Sequence, residues 1–98
     1  MTIDQERNNE TMTLHLKGRL DTITSPELEK TIDALPSDVT VLILDMKELT
    51  YVSSAGLRVL LVAQKKMNRI GSMKLSSVCA DVMDVLEMTG FADILVIE

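Results

Sequence analysis

The chain has 98 residues, a formal net charge of −5 and a single cysteine. This length accommodates one domain, and we assign residues 1–98 to it. The negative charge argues against nucleic-acid binding, which needs a basic surface to neutralise phosphates. One cysteine excludes an intramolecular disulfide and a cysteine-based zinc site. We predict neither a metal site nor a cofactor.

The N-terminal segment and the apolar runs bear on location. Met1 to Arg7 is polar and lacks the apolar core of a signal peptide. The longest uninterrupted apolar run, Val59 to Ala63, is too short to cross a bilayer. These features and the lone cysteine predict a cytoplasmic protein without membrane attachment.

Strand patterns dominate the first twenty residues. Thr2 to Arg7 has a weak strand pattern, and Asn8-Asn9 is typical of a tight turn. Apolar residues at positions 12, 14 and 16 then alternate with polar ones, as in a half-buried strand. This places His15, the only histidine, on the polar face, where we expect no chemical role. Gly18 to Thr22 breaks the alternation and predicts a loop.

A first helix follows this loop. Thr24 and Glu27 have the spacing of a capping box, and Ile23 is placed for a hydrophobic staple to the leucine at position 28. Ser25 before Pro26 is an equally good helix start, one residue later. Apolar residues at positions 28, 32 and 35 predict one buried stripe.

Strands and helices alternate in the rest of the chain. Val39 to Leu44 is nearly all apolar, which is typical of a central strand covered on both faces. Met46 to Val52 is interpreted as a connection, and a long helix from Ala55 to Arg69 is capped by Gly71. A strand at 72–78, a helix at 80–89 and a strand at 94–97 follow. The order β-β-α-β-α-β-α-β predicts an α/β fold with helices packed against a small mixed sheet.

Two adjacent serines join the central strand to the long helix, within Tyr51-Val52-Ser53-Ser54-Ala55-Gly56-Leu57-Arg58-Val59-Leu60-Leu61. At a helix N-terminus, unpaired backbone N–H groups and the helix dipole favour negative charge. A serine here is therefore well placed for a phosphate, either bound or covalently attached. We take Ser54 as the candidate for a switchable serine.

At about 100° per residue, the long helix has two distinct faces. The predicted core face contains Ala55, Val59, Leu60, Ala63, Met67 and Ile70. Ser54 and Arg58 lie on the opposite, polar face, and Leu57, Leu61 and Val62 lie on or beside it. Either neighbouring elements cover these three apolar residues, or they form a docking surface around the serine.

A hydrolase is the main competing class, because Ser54-Ala55-Gly56 resembles half of a nucleophile elbow. The first glycine of that motif is replaced by Val52, and the only histidine, His15, precedes the serine on a strand. The chain also lacks a glycine-rich phosphate-binding loop. We predict that the protein is not an enzyme.

The serine-containing segment resembles the signature of STAS domains, the anti-sigma factor antagonists of bacteria. Gly18-Arg19-Leu20-Asp21, Thr89-Gly90-Phe91 and the order of elements extend the resemblance over essentially the whole chain. The resemblance implies that the unphosphorylated protein binds an anti-sigma factor that is also an ATP-dependent serine kinase. Phosphorylation would dissociate the complex, and a PP2C-type phosphatase would restore the antagonist.

Aligning this motif on Gly56-Leu57 assigns the phosphoacceptor to Ser54. The family often has aspartate where this chain has Ser53, which makes Ser53 a minor alternative acceptor, and often serine or threonine at the position of Ala55. Two residues, Asp21 and Thr22, match a family loop beside the acceptor. The implied partner-binding residues are Asp21, Thr22, Ser53, Leu57, Arg58, Leu61 and Val62. The alternative is a non-switching STAS interaction module of a transporter-associated or sensory complex.

Overall fold

The computed structural model describes all 98 residues. The strands are β1 (Thr2–Asn8), β2 (Thr11–Leu20), β3 (Val41–Val52) and β4 (Ser72–Ser76). The helices are α1 (Ser25–Asp33), α2 (Ser54–Ile70) and α3 (Ala80–Met88), followed by a short 3-10 helix at Phe91–Asp93. The sheet order is β1-β2-β3-β4, with β1 antiparallel to β2 and the other pairs parallel. The predicted α/β fold with a small mixed sheet is confirmed.

The predicted last strand at 94–97 is wrong. The backbone N–H groups of Ile94 and Leu95 both donate to the carbonyl of Phe91, so the chain stays in a helical turn as far as Leu95. Only the last residues then reach the sheet, through an isolated parallel bridge between Leu75 and Ile97. The helical turn occupies the first two positions of the predicted strand, so no continuous ladder forms there.

Two segments that we interpreted as loops or connections continue as strand. β2 runs on through Gly18 to Leu20, and β3 runs on through Met46 to Val52. Their pairing shifts register between His15 and Lys17 and again between Gly18 and Arg19. Such bulges insert residues into the ladder and break the alternation of buried and exposed side chains. The sequence-based prediction ended these strands where the alternation ends, although the strands themselves continue past that point.

The helices pack against one face of the sheet. In β3, Leu42 and Leu44 are fully buried, whereas Val41 and Ile43 point to the other face and are only half-buried. The expectation that this strand is covered on both faces was therefore wrong, because no helix lies over the second face. The predicted apolar stripe of α1 does pack inward, with Leu28 buried in the core.

Gly71 ends α2 at a close approach between chain segments. Its φ of 172° is extended backbone that any residue can adopt. A Cβ at this position would lie 1.8 Å from the carbonyl oxygen of Thr40, so only glycine fits without a shift.

No helix of the structure is long and apolar enough to cross a bilayer.

Candidate functional site

The candidate site lies where β2 and β3 end side by side. The backbone N–H of Ser53 donates to the carbonyl of Leu20 at 2.9 Å, which joins the end of β2 to the start of α2. A Cβ on Gly56 would lie 2.7 Å from Cγ and 2.9 Å from the carbonyl oxygen of Leu20. Glycine at position 56 therefore lets the first turn of α2 sit directly on this end of the sheet.

Ser53 is the N-cap of α2. Its backbone is extended, with φ −95° and ψ 175°, and its Oγ accepts a hydrogen bond from the N–H of Gly56 at 3.3 Å. Capping of this kind satisfies one of the unpaired donors at a helix start. The partly buried hydroxyl of Ser53 therefore has a structural partner.

Ser54 differs from Ser53 both in its exposure and in its hydrogen bonding. It is the first residue of α2, it is exposed, and its hydroxyl makes no hydrogen bond to the protein. Its side chain sits at the helix start, where the dipole favours negative charge. Of the two adjacent serines, Ser54 has the hydroxyl that is accessible to another protein.

The loop from Asp21 to Thr24 faces this helix start and is held by its own side chains. Asp21 Oδ1 accepts from the backbone N–H groups of Ile23 and Thr24, each at 3.0 Å. The hydroxyl of Thr24 donates to the carbonyl of Arg19 at 2.7 Å. The N–H of Thr24, then that of Ile23, stabilises the carboxylate and lowers the pKa of Asp21. Asp21 therefore organises the loop.

This network overturns two expectations about the start of α1. Thr24 is the N-cap residue, but its side chain makes no capping hydrogen bond, because its hydroxyl serves the loop instead. The capping box with Glu27 is therefore not formed. The staple is absent as well, since Ile23 is 88% exposed. The sequence pattern predicted a packing role for Ile23, whereas the structure exposes this side chain on the loop before α1.

A shallow groove of about 190 Å³ separates the starts of α1 and α2. Its lining residues are Thr22, Ser25, Pro26, Glu29, Ala55, Arg58 and Val59. The groove thus brings Thr22 and Arg58, two of the predicted partner-binding residues, to one surface. Both side chains are exposed.

The exposed face of α2 contains only part of the predicted docking patch. Val62 is 51% exposed and Leu61 is partly exposed, on the same face as Ser54 and Arg58. Leu57, in contrast, is 5% exposed and belongs to the hydrophobic core, so its assignment to an exposed patch was wrong. Because Gly56 packs closely against Leu20 at the end of β2, the next residue, Leu57, also faces the core.

The helix also buries a polar residue and exposes an apolar one, against expectation. Gln64 is 2% exposed; its Nε2 donates to Asn68 Oδ1 at 2.9 Å, and its Oε1 accepts from the N–H of Val96 at 3.3 Å. Ile70, predicted in the core, is 48% exposed at the last turn. The core face is therefore rotated towards positions 57 and 64 relative to the sequence-based layout.

Two arginines near this end of the sheet differ in how they are engaged. The guanidinium of Arg19 lies 4.1 Å from the centre of the Tyr51 ring, and its Nε is 3.8 Å from Asp21 Oδ2. Arg58 makes no ion pair and no side-chain hydrogen bond, and it is exposed one helical turn after Ser54. Arg58 is therefore an unpaired cation within about one helical turn of Ser54.

His15 belongs to a separate cluster on the helix-free face of the sheet. Its Nδ1 lies 2.7 Å from Asp45 Oδ2, and its Nε2 lies 2.9 Å from Glu6 Oε1. The hydrogen bond to Asp45, followed by that to Glu6, raises the pKa of His15. Both ring nitrogens are engaged by carboxylates, so His15 forms no serine–histidine pair with Ser54.

Both a family model and a bacterial relative match this chain. The STAS domain model matches residues 2–98. BtrV of Bordetella bronchiseptica, a candidate anti-sigma factor antagonist, is 32% identical over 81 residues, which are 81% of this chain and 70% of BtrV. The chain therefore belongs to the STAS domain family, among its anti-sigma factor antagonists.

Solved structures of two other proteins share the fold at low identity. The anti-sigma factor antagonist SpoIIAA of Bacillus is 19% identical and superposes with a TM-score of 0.80 in its unphosphorylated form and 0.76 in its phosphorylated form. These matches cover 99% of this chain and 88% and 91% of SpoIIAA. A sulfate transporter family protein from Wolinella succinogenes is also 19% identical, with a TM-score of 0.78, over 90% of this chain and 76% of that one. The fold thus occurs both in an anti-sigma factor antagonist and in a sulfate transporter family protein.

Proposed function

We propose that this chain is a phosphorylation-controlled anti-sigma factor antagonist whose switch is Ser54. In the unphosphorylated state it binds an anti-sigma factor that is also a serine kinase, and phosphorylation of Ser54 releases it. The observation that carries this proposal is the exposed, unpartnered Ser54 hydroxyl at the first position of α2. The solved phosphorylated form of the fold neighbour SpoIIAA supports it.

The proposed docking surface consists of exposed or partly exposed side chains of α2 and of the loop that precedes α1. They are Thr22, Ile23, Ser54, Arg58, Leu61 and Val62. Apolar residues rimmed by polar ones are typical of protein interfaces. The hydrogen bonds of Asp21 hold the loop in one conformation, so little conformational entropy is lost when Ile23 contacts a partner.

Release follows from the placement of the phosphate within this surface. A phosphoserine carries about −1.5 to −2 charges at neutral pH. Desolvating such a charge against Leu61 and Val62 is costly, and a single neighbouring cation offsets only part of that cost. Because Ser54 is exposed at a helix start, the phosphate leaves the fold of this chain intact and acts on the complex.

The remaining parts of the system follow from the same proposal. The kinase acts on this chain as a substrate, and a PP2C-type metal-dependent phosphatase removes the phosphate. The chain itself is a binding protein and carries out no catalysis. We place it in the cytoplasm, where ATP and sigma factors are found.

The decisive experiment incubates the chain with its candidate kinase and ATP and maps the phosphate by mass spectrometry. We expect one phosphate on Ser54, no incorporation in Ser54→Ala, and normal incorporation in Ser53→Ala. Phosphate elsewhere, or none, contradicts the proposal.

Binding measurements separate switching from the alternative of a constitutive interaction module. We expect Ser54→Asp to lose binding to the anti-sigma factor and Ser54→Ala to bind like the unphosphorylated wild type. Binding that persists in Ser54→Asp and in the phosphorylated protein would favour the non-switching module.

A further inference from the structure

We propose that Arg58 is the built-in counter-ion of the Ser54 phosphate, so that phosphorylation withdraws Arg58 from the docking surface. This inference rests on the proposed function of Ser54. Phosphorylation would then change the docking surface at two positions: it adds a negative charge at Ser54, and it removes the free positive charge of Arg58.

The geometry of α2 brings the two groups together. Ser54 and Arg58 are four residues apart in one helix, and both are exposed. Side chains at this spacing lie on one face with their Cβ atoms about 6 Å apart, and a negative group four residues before a positive one is the favourable order. The long side chain of Arg58 can therefore reach back to a phosphate on Ser54.

No other cation of the chain is as well placed. Arg19 is stacked on Tyr51 and lies beside Asp21, and Arg58 has no competing partner. Lys65 lies eleven residues after Ser54, or about 16 Å along the helix at about 1.5 Å per residue, beyond effective reach in salt. A guanidinium also offers the paired donors that match phosphate oxygens.

The pairing gives Arg58 a different role in each state. In the unphosphorylated chain its guanidinium is unpaired and lines the groove that also contains Thr22, so it is available to an acidic group of a partner. In the phosphorylated chain the same donors turn to the phosphate. A partner carboxylate that faced Arg58 then meets a negative charge without a cation.

The test uses full-length protein in which phosphoserine is installed at position 54 during translation, so that it does not depend on any kinase. The phosphate is titrated between about pH 4.5 and 8 by phosphorus NMR. A charge at about 6 Å in water shifts a neighbouring titration by about half a pH unit. We therefore expect the second phosphate pKa to rise by about half a unit in Arg58→Gln and to stay unchanged in Arg58→Lys.

The matched control is Arg69→Gln, which removes the same charge from an exposed position in the last turn of α2. It should leave the phosphate titration as in wild type. Identical titrations in Arg58→Gln, Arg69→Gln and wild type would overturn the inference. A kinase experiment that finds no phosphate on Ser54 would instead overturn the proposed function, so the two failures are distinguishable.

Discussion

The two faces of α2 are built on opposite principles. On the inner face every large side chain is buried, and even the polar Gln64 is fully hydrogen-bonded. On the outer face Ser54, Arg58 and Val62 are exposed and make no side-chain hydrogen bond or ion pair. Unpartnered side chains can change their charge or bind a second protein without a cost to the fold. The outer face is therefore the one on which a switch can operate.

The strongest test of the difference between the two faces is a substitution at Leu57, which the sequence pattern placed on or beside the outer face. Leu57 is 5% exposed within the hydrophobic core. Truncating a buried leucine to alanine costs about 2–5 kcal/mol. We expect Leu57→Ala to lower the free energy of unfolding by about this amount, measured by urea denaturation.

The matched variant on the outer face is Val62→Ala. Because Val62 is 51% exposed, its truncation should change the free energy of unfolding by less than about 0.5 kcal/mol. Similar losses in the two variants would show that the faces are not distinct. A weakened complex in Val62→Ala alone would support the outer face as the docking surface.

The case of Leu57 shows where prediction from the sequence stops. The repeat of apolar residues was enough to predict α2 and its approximate face. The rotation of that face depends on how closely Gly56 approaches Leu20, which is a tertiary contact with no local signature. The burial of Gln64 likewise depends on Val96, thirty-two residues away along the chain. Long-range contacts of this kind cannot be obtained from the periodicity of one helix.

The strands show the same limit. The alternating residues of β2 were predicted, but its continuation through Gly18 to Leu20 was not, because bulges interrupt the pattern. At the site, the position of Ser54 at the start of α2 agrees with the sequence. The exposure of Ile23 does not, because Thr24 hydrogen-bonds within the loop and the local capping pattern is overridden.

A smaller effect distinguishes the two adjacent serines. Ser53 caps α2 through the N–H of Gly56, and loss of an N-cap side chain typically costs about 1 kcal/mol. We therefore expect Ser53→Ala to lower the free energy of unfolding by about 1 kcal/mol while leaving phosphorylation of Ser54 intact. Ser54→Ala should leave stability nearly unchanged, since its hydroxyl has no partner. The reverse order of stabilities would mean that the structural and switching roles had been exchanged.

The last expected effect depends on pH and concerns His15, whose two ring nitrogens are both hydrogen-bonded within the fold. The pKa of His15 is raised from 6.5 and that of Asp45 is lowered from 3.8, in each case chiefly by their shared hydrogen bond. Because its pKa is raised on folding, His15 contributes stability that is present below about pH 6.5 and is lost as the pH rises through its folded pKa. Because its pKa is lowered on folding, Asp45 contributes stability that is present above about pH 3.8 and is lost as the pH falls through its folded pKa. The cluster should therefore stabilise the protein most between these two values.

The reason for the loss at high pH lies in the imidazole. A charged ring donates to both Asp45 and Glu6, whereas a neutral ring has one N–H and can donate to only one of these two carboxylates. We expect His15→Gln to be less stable than wild type by about 0.5–1 kcal/mol near pH 5.5 and by less at pH 8.5. Partner binding should be unaffected, because His15 lies on the helix-free face of the sheet. Parallel pH profiles for the two proteins would contradict this account, and loss of partner binding in His15→Gln would extend the docking surface to the second face of the sheet.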